Sequence, residues 1–131
     1  MRKLILILLF PILLFGQERE QTIPTPDDTT FVWKNGYEDL VDVKFEYLLQ
    51  EKIDEEVLFY VVINVMTTSS LELKNRLSFV PRKLTLFKSE DGYRAITEYI
   101  GKNAYGTESL LKSYFSFIPE GIGDVELLYT R

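Results

Sequence analysis

The chain has 131 residues with 20 acidic and 15 basic side chains, a net charge of −5, and neither cysteine nor histidine. Without those two residue types it forms no disulfides, Cys/His zinc sites, Ser-His-Asp triads or Cys-His dyads. Acidity without a basic cluster in the sequence also argues against nucleic acid or anionic lipid as a partner. The sequence thus predicts no catalytic residue, no metal site and no cofactor.

The N-terminus has the pattern of a cleavable secretory signal. Two basic residues precede an apolar run, residues 4–15, and Gly16 stands before Gln17. The run has 12 residues and contains Pro11, whereas a membrane-spanning helix needs about 20 apolar residues. We predict that residues 1–16 are removed, which leaves a chain of net charge −7 with no membrane span. The junction resembles signal peptides of some Gram-negative bacteria, so the mature protein is expected in the periplasm or outside the cell.

Residues 17–30 are predicted to be a flexible lead-in, because they contain two prolines and a single large apolar side chain, Ile23. One domain then occupies residues 31–131. Trp33, near its start, is expected to dock the first strand on the core. The next segment alternates between apolar and polar side chains, which predicts a half-buried strand; its apolar members are Val41, Val43, Phe45, Tyr47 and Leu49.

The middle of the chain is strongly apolar. Residues 57–66, VLFYVVINVM, are predicted to form a central strand after a turn at IDEE. Ser69 and Glu72 then have the spacing of a capping box, but the following leucines fit helical spacing badly. We therefore expect a loop or short strand there, with at most one helical turn. Pro81 predicts an edge strand or a bulge.

Two hairpins are predicted in the C-terminal half. KLTLFKS and YRAITEYI flank Glu90-Asp91-Gly92, and Asp-Gly between β-rich segments is a strong hairpin signal. SYFSFI and DVELLY bracket the turn-rich sequence PEGIG. With about seven short strands and no long amphipathic helix, the pattern predicts an all-β fold, an antiparallel β-sandwich. The alternative is an α+β roll.

Two segments resemble small exported immunoglobulin-like domains of Gram-negative bacteria. LTLFKSEDGYRAI, residues 84–96, is similar to their central hairpin, and YFSFIPEGIGDVELLY, residues 114–129, is similar to their last two strands. In those domains the final strand alternates, as Val125, Leu127 and Tyr129 do. The resemblance implies an immunoglobulin-like sandwich. It implies no single activity, because that architecture serves adhesins, inhibitors, chaperones and carbohydrate binders.

Motifs with catalytic precedents have simpler explanations in this chain. Ser109 and Lys112 have the S-x-x-K spacing of β-lactamases, but on a strand such positions face opposite sides. Pairs of adjacent acidic residues lack the separation of glycosidase carboxylates and the ordered spacing of a calcium loop. We interpret them as solvated turn residues; they are Asp27/Asp28, Glu55/Glu56 and Glu90/Asp91.

Candidate binding residues lie in the segment GKNAYGTES, residues 101–109, between two predicted strands. Its glycines permit turns that other residues avoid, and loop tyrosines are common recognition residues. Lys102, Asn103 and Tyr105 are the predicted binding residues, unless Tyr105 folds back as a plug over the end of the fold. The tyrosines inside strands are expected to pack instead; they are Tyr93, Tyr99, Tyr114 and Tyr129.

The sequence favours an exported, non-enzymatic domain that binds another macromolecule, a protein or a glycan, or supports an envelope complex. One alternative is a small secreted hydrolase or lyase that works through carboxylates or a Tyr/Lys pair. Another is an inhibitor of a secreted enzyme. An enzyme should bring at least two ionisable groups together in a pocket, whereas a binding module should expose an aromatic patch.

Overall fold

The computed structural model describes residues 20–102 and 105–131. The predicted signal peptide, residues 1–16, and the candidate Asn103 lie outside them. No helix in the described part of the chain is long and apolar enough to cross a membrane. The elements are β1 (Thr30–Lys34), β2 (Leu40–Tyr47), α1 (Glu55–Leu71), a 3-10 turn (Arg76–Ser78), β3 (Val80–Ser89), β4 (Gly92–Lys102), β5 (Glu108–Phe117) and β6 (Val125–Thr130).

The six described strands form one sheet in chain order, β1 to β6. Neighbouring strands are antiparallel except β2 and β3, which are parallel. A parallel pair needs a crossover connection, and α1 supplies it. Since α1 packs on one side of the sheet, the other side has no covering layer among the described residues. We call that side the open face.

Helix α1 occupies residues that the sequence pattern assigns to a central strand, so the strand prediction for residues 57–66 is wrong. Asp54 begins the helix by accepting the backbone N–H of Glu56 at 2.9 Å. Glu55 and Glu56 place negative charge in the first turn, where the helix dipole favours it. The predicted turn at IDEE is therefore the start of a helix. Its buried residues recur at helical spacing and are Val57, Leu58, Val61, Val62, Val65, Met66 and Ser69.

The helix ends at Leu71 with Glu72 as its C-cap, so the Ser69/Glu72 spacing marks the end of a helix instead of a start. Ser69 is fully buried, and its hydroxyl donates to Thr97 Oγ1 on the sheet at 3.1 Å. This bond satisfies two polar side chains inside the core and fixes the last turn of the helix over β4.

The core fills the space between α1 and the sheet. Phe31 and Phe45 meet edge to face at 6.0 Å between ring centroids, and Phe79 packs on Tyr99 at 5.1 Å. Trp33 is partly buried against this core, as predicted. The described part of the lead-in lies alongside β1. The backbone N–H of Thr22 donates to the carbonyl of Val32 there, at 2.8 Å.

The loop between β5 and β6 packs against the first turns of α1. Gly123 has a φ of +63°, and a Cβ there would lie 2.9 Å from the carbonyl oxygen of Val57. Both the backbone conformation and the close approach require glycine at this position. The contact joins the last strand to the helix.

A β-rich fold is confirmed: the described residues contain one α-helix, and the sheet includes 45% of them. Alternation in β2, the Asp-Gly hairpin and the β5–β6 pair are also confirmed, and the register shift after Pro81 is the predicted bulge. The antiparallel β-sandwich of about seven strands, and its immunoglobulin-like form, are not confirmed. The described strands make one sheet, and the layer that covers it is a helix, as in the α+β alternative.

Candidate functional site

Two rows of side chains cross the open face at right angles to the strands. Residues that are paired between neighbouring strands lie side by side, so the register defines each row. The charged row contains Lys44, Lys83, Glu98 and Lys112, and Arg131 continues it through backbone hydrogen bonds with Lys112. The aromatic row, one step further along the strands, contains Glu46, Thr85, Ile96, Tyr114 and Tyr129.

A β-bulge in β6 brings Tyr129 into the aromatic row. Tyr114 pairs with Tyr129, and the next residue, Phe115, pairs with Leu127, so Leu128 is the extra residue. Leu127 packs against the core, whereas Tyr129 lies across the sheet from it and is 49% exposed. The expected alternation of the last strand therefore holds for Val125 and Leu127 but fails at Tyr129, whose ring is half exposed on the open face instead of packing with theirs.

The rings of Tyr114 and Tyr129 stack with their centroids 4.4 Å apart and their planes at 17°. The guanidinium carbon of Arg131 lies 5.1 Å from the Tyr114 centroid and 5.8 Å from that of Tyr129. Arg131 Nη2 also donates to the Tyr114 hydroxyl at 3.1 Å. This hydrogen bond is the main reason that the pKa of Arg131 lies above its ordinary value. The cluster thus presents a fixed cation on an aromatic base.

A shallow cavity of about 260 Å³ adjoins the two tyrosines. Phe87 and Leu128 give it apolar walls, and Arg94 gives it a second guanidinium. The Nη1 atom of Arg94 donates to the carbonyl of Tyr93 at 3.0 Å, which fixes this side chain beside the cavity. Tyrosine and arginine around a small apolar depression have the composition of interface hot spots.

The lysines of the charged row differ in their partners. Lys83 forms a salt bridge with Glu46 at 3.1 Å, and its hydrogen bond is the main cause that lowers the pKa of Glu46. Lys44 and Lys112 make no salt bridge with any described residue. The row therefore contains two lysines outside any described salt bridge, and the Lys44 charge also contributes to the lowered pKa of Glu46.

The predicted binding residues lie at one end of the sheet. β4 continues to Lys102 and β5 begins at Glu108, so the connecting loop is shorter than the predicted segment. Tyr105 is 93% exposed, which argues against its folding back as a plug. Lys102 is exposed on the same side of the sheet as Glu98, four residues away and therefore about 13 Å along the strand. The structure thus does not join these residues to the aromatic row.

Replacement of Tyr105 by alanine is expected to change the free energy of unfolding by less than about 0.5 kcal/mol, since the side chain buries little surface. Chemical denaturation of the two proteins measures the difference. A loss of several kcal/mol would mean that the ring is buried in solution, and the loop would then be structural.

Tyr93 and Lys88 are described residues that lie close enough to be compared with the Tyr/Lys pair of the enzyme alternative. The Tyr93 hydroxyl donates to the carboxylate of Glu51, and this bond is the main reason that the pKa of Tyr93 is raised. Lys88 Nζ lies over the ring, 5.1 Å from its centroid. A tyrosine that acts as a base needs a lowered pKa. The group is therefore better explained as a contact that holds the loop before α1 on β4.

The remaining motif residues give no alternative site. Ser109 pairs with Gly101 and Lys112 pairs with Glu98, which places them on opposite faces of β5 as expected. Glu55 and Glu56 lie in the first turn of α1. Within residues 20–102 and 105–131, no group of three metal-binding side chains converges.

No protein-family model matches the chain, and no curated protein or solved structure matches it significantly. The functional argument therefore depends on the geometry of the open face. Neither of its two rows could be identified from sequence spacing, because the members of each row lie far apart in the chain and are brought together by strand pairing.

Proposed function

We propose that the protein is an exported, non-enzymatic domain that binds another macromolecule through the open face. The Tyr114–Tyr129–Arg131 cluster is the observation that carries this proposal. Its aromatic and guanidinium groups are already held in place by stacking and by a hydrogen bond. Little side-chain entropy is then lost when a partner binds, which favours affinity.

Two further observations support the proposal. The N-terminal pattern of residues 1–16 favours export to the periplasm or the medium, where a partner would be met. The raised pKa of Tyr93 makes its hydroxyl a poor general base, so the pair that it forms with Lys88 gives no support to a Tyr/Lys enzyme. The edge of β6 is a less suitable docking place, since a bulge of this kind disfavours pairing with another strand.

The test is affinity capture with the tagged protein from envelope and medium fractions of its own host, with variants of the open face. Tyr129→Ala is expected to reduce recovery of a stoichiometric partner at least about tenfold, as hot-spot truncations do. Phe59→Ala is the matched control, because Phe59 is 43% exposed on the opposite side of the molecule.

Equal recovery with Tyr129→Ala and the wild-type protein would contradict the proposed site. Loss of the partner with Phe59→Ala alone would place the binding surface on α1. Both variants should keep the circular dichroism spectrum of the wild type, because both side chains are largely at the surface.

A further inference from the structure

The charged row differs in sign from the rest of the protein. It contains four cations and one anion, Glu98, a net charge of +3, and Glu46 of the aromatic row offsets one of these charges through its salt bridge with Lys83. The described residues as a whole contain 12 basic and 19 acidic side chains, a net charge of −7. Positive charge is thus concentrated in this one row of the open face, and it is complementary to an acidic segment of a partner.

The spacing of the row follows from the sheet. Neighbouring strands lie about 4.8 Å apart, so positions can be measured from Lys44 on β2. Lys83 then lies at about 5 Å, Glu98 at about 10 Å, Lys112 at about 14 Å and Arg131 at about 19 Å. The cations form two pairs, and Glu98 occupies the gap between them.

An extended peptide matches this pattern. Its side chains on one face repeat every ~6.8 Å, so four carboxylates at alternate residues fall at about 0, 7, 14 and 20 Å. Each lies within about 2 Å of a cation, a difference that long lysine and arginine side chains absorb easily. The second carboxylate comes nearest to Glu98, at about 3 Å, and it lies closer to Lys83.

An α-helix matches it less well. Carboxylates on successive turns repeat every ~5.4 Å, so the third one falls at about 11 Å, next to Glu98. That contact joins two like charges and is unfavourable. The pattern of the row therefore discriminates between two conformations of an acidic segment.

We propose that the charged row binds an extended acidic segment of a partner protein, about seven residues long, with carboxylates at alternate positions. This inference rests on the proposed function and names the chemistry of the partner. The segment crosses the strands at right angles, and its last carboxylate meets Arg131.

Isothermal calorimetry at low ionic strength tests the inference with two capped synthetic peptides of identical composition, ESESESEL and EEEESSSL. The alternating peptide is expected to bind at least several-fold more tightly, because only its carboxylates match the row. Lys112→Ala and Arg131→Ala should each weaken it about two- to fivefold, the range for exposed charge pairs. Lys74→Ala, an exposed lysine away from the open face, should leave binding unchanged.

Glu98→Lys gives a change in the opposite direction. It removes the single anion of the row, so the block peptide EEEESSSL should gain affinity and the difference between the two peptides should shrink. A gain of function of this kind does not arise from misfolding.

Equal affinity for the two peptides in the wild-type protein would overturn the inference, as would tighter binding of polygalacturonate, which would indicate an acidic glycan. If partner capture depends on Tyr129 but neither peptide binds, the proposed function stands and this inference fails. If Lys112→Ala weakens binding of the alternating peptide but Tyr129→Ala does not reduce partner recovery, this inference stands. The aromatic cluster is then not part of the binding site.

Discussion

Replacement of Asn64 by proline is expected to lower the free energy of unfolding by at least about 3 kcal/mol, the cost of proline inside a helix. Asn64 is exposed in the middle of α1, so its side chain contributes little to packing. The loss comes from the backbone, because proline removes one hydrogen bond and its ring collides with the preceding turn. Denaturation followed by helical circular dichroism measures it.

The matched control is Asn64→Ala, which keeps the backbone N–H. Alanine is the best helix former and asparagine a poor one, so this variant should gain a few tenths of a kcal/mol. In a strand both asparagine and alanine are disfavoured, so the gain expected from helix propensity would have no counterpart there. A destabilised Asn64→Ala protein would therefore contradict the helix.

The helix was the main feature that sequence patterning missed, and its packing explains why. Helix α1 buries one side against the sheet but also exposes Phe59 and Tyr60, by 43% and 40%. The segment is consequently apolar in every direction, as a fully buried strand is. Its length and the start at Asp54, followed by two glutamates, were the available signals for a helix.

Local features of the strands could be predicted because their causes are local. The alternation of apolar and polar residues in β2 correctly indicates that Val43 and Phe45 are buried. Asp91-Gly92 correctly indicates a hairpin, in which Ser89 pairs with Gly92. The β-bulge at Leu128 has no such cause in the nearby sequence. The bulge depends on the pairing of β6 with β5. The side of the sheet on which Tyr129 lies depends on the bulge and therefore on the same pairing.

The candidate site could not be predicted for the same reason. The parallel pairing of β2 with β3 brings Lys44 beside Lys83, and that pairing exists because α1 crosses over the sheet. If residues 57–66 are taken as a strand, that strand and not β3 becomes the expected neighbour of β2, so Lys83 is not expected beside Lys44. Because the pattern does not reveal the helix, the sequence does not indicate the row. It indicates only Lys102 and Tyr105, which are recognisable from local loop sequence.

Tyr99→Ala is expected to cost about 3–5 kcal/mol, the range for a large aromatic side chain removed from a core. Tyr99 is fully buried and packs on Phe79 with ring centroids 5.1 Å apart. The substitution leaves a cavity beneath α1 that rigid strands on both sides cannot fill. Since a domain of this size is stable by only about 5–15 kcal/mol, this loss is a large share of its free energy of unfolding.

Tyr99→Phe separates packing from hydrogen bonding. The Tyr99 hydroxyl lies 2.7 Å from Ser113 Oγ, which lies 2.8 Å from Thr130 Oγ1, and Thr130 donates to Glu72 at the end of α1. Phenylalanine keeps the ring and removes one member of this chain, so it should cost about 1 kcal/mol. Urea denaturation of both variants measures the two effects. Equal losses in the two proteins would mean that the hydrogen-bond chain, and not the packed ring, stabilises this part of the core.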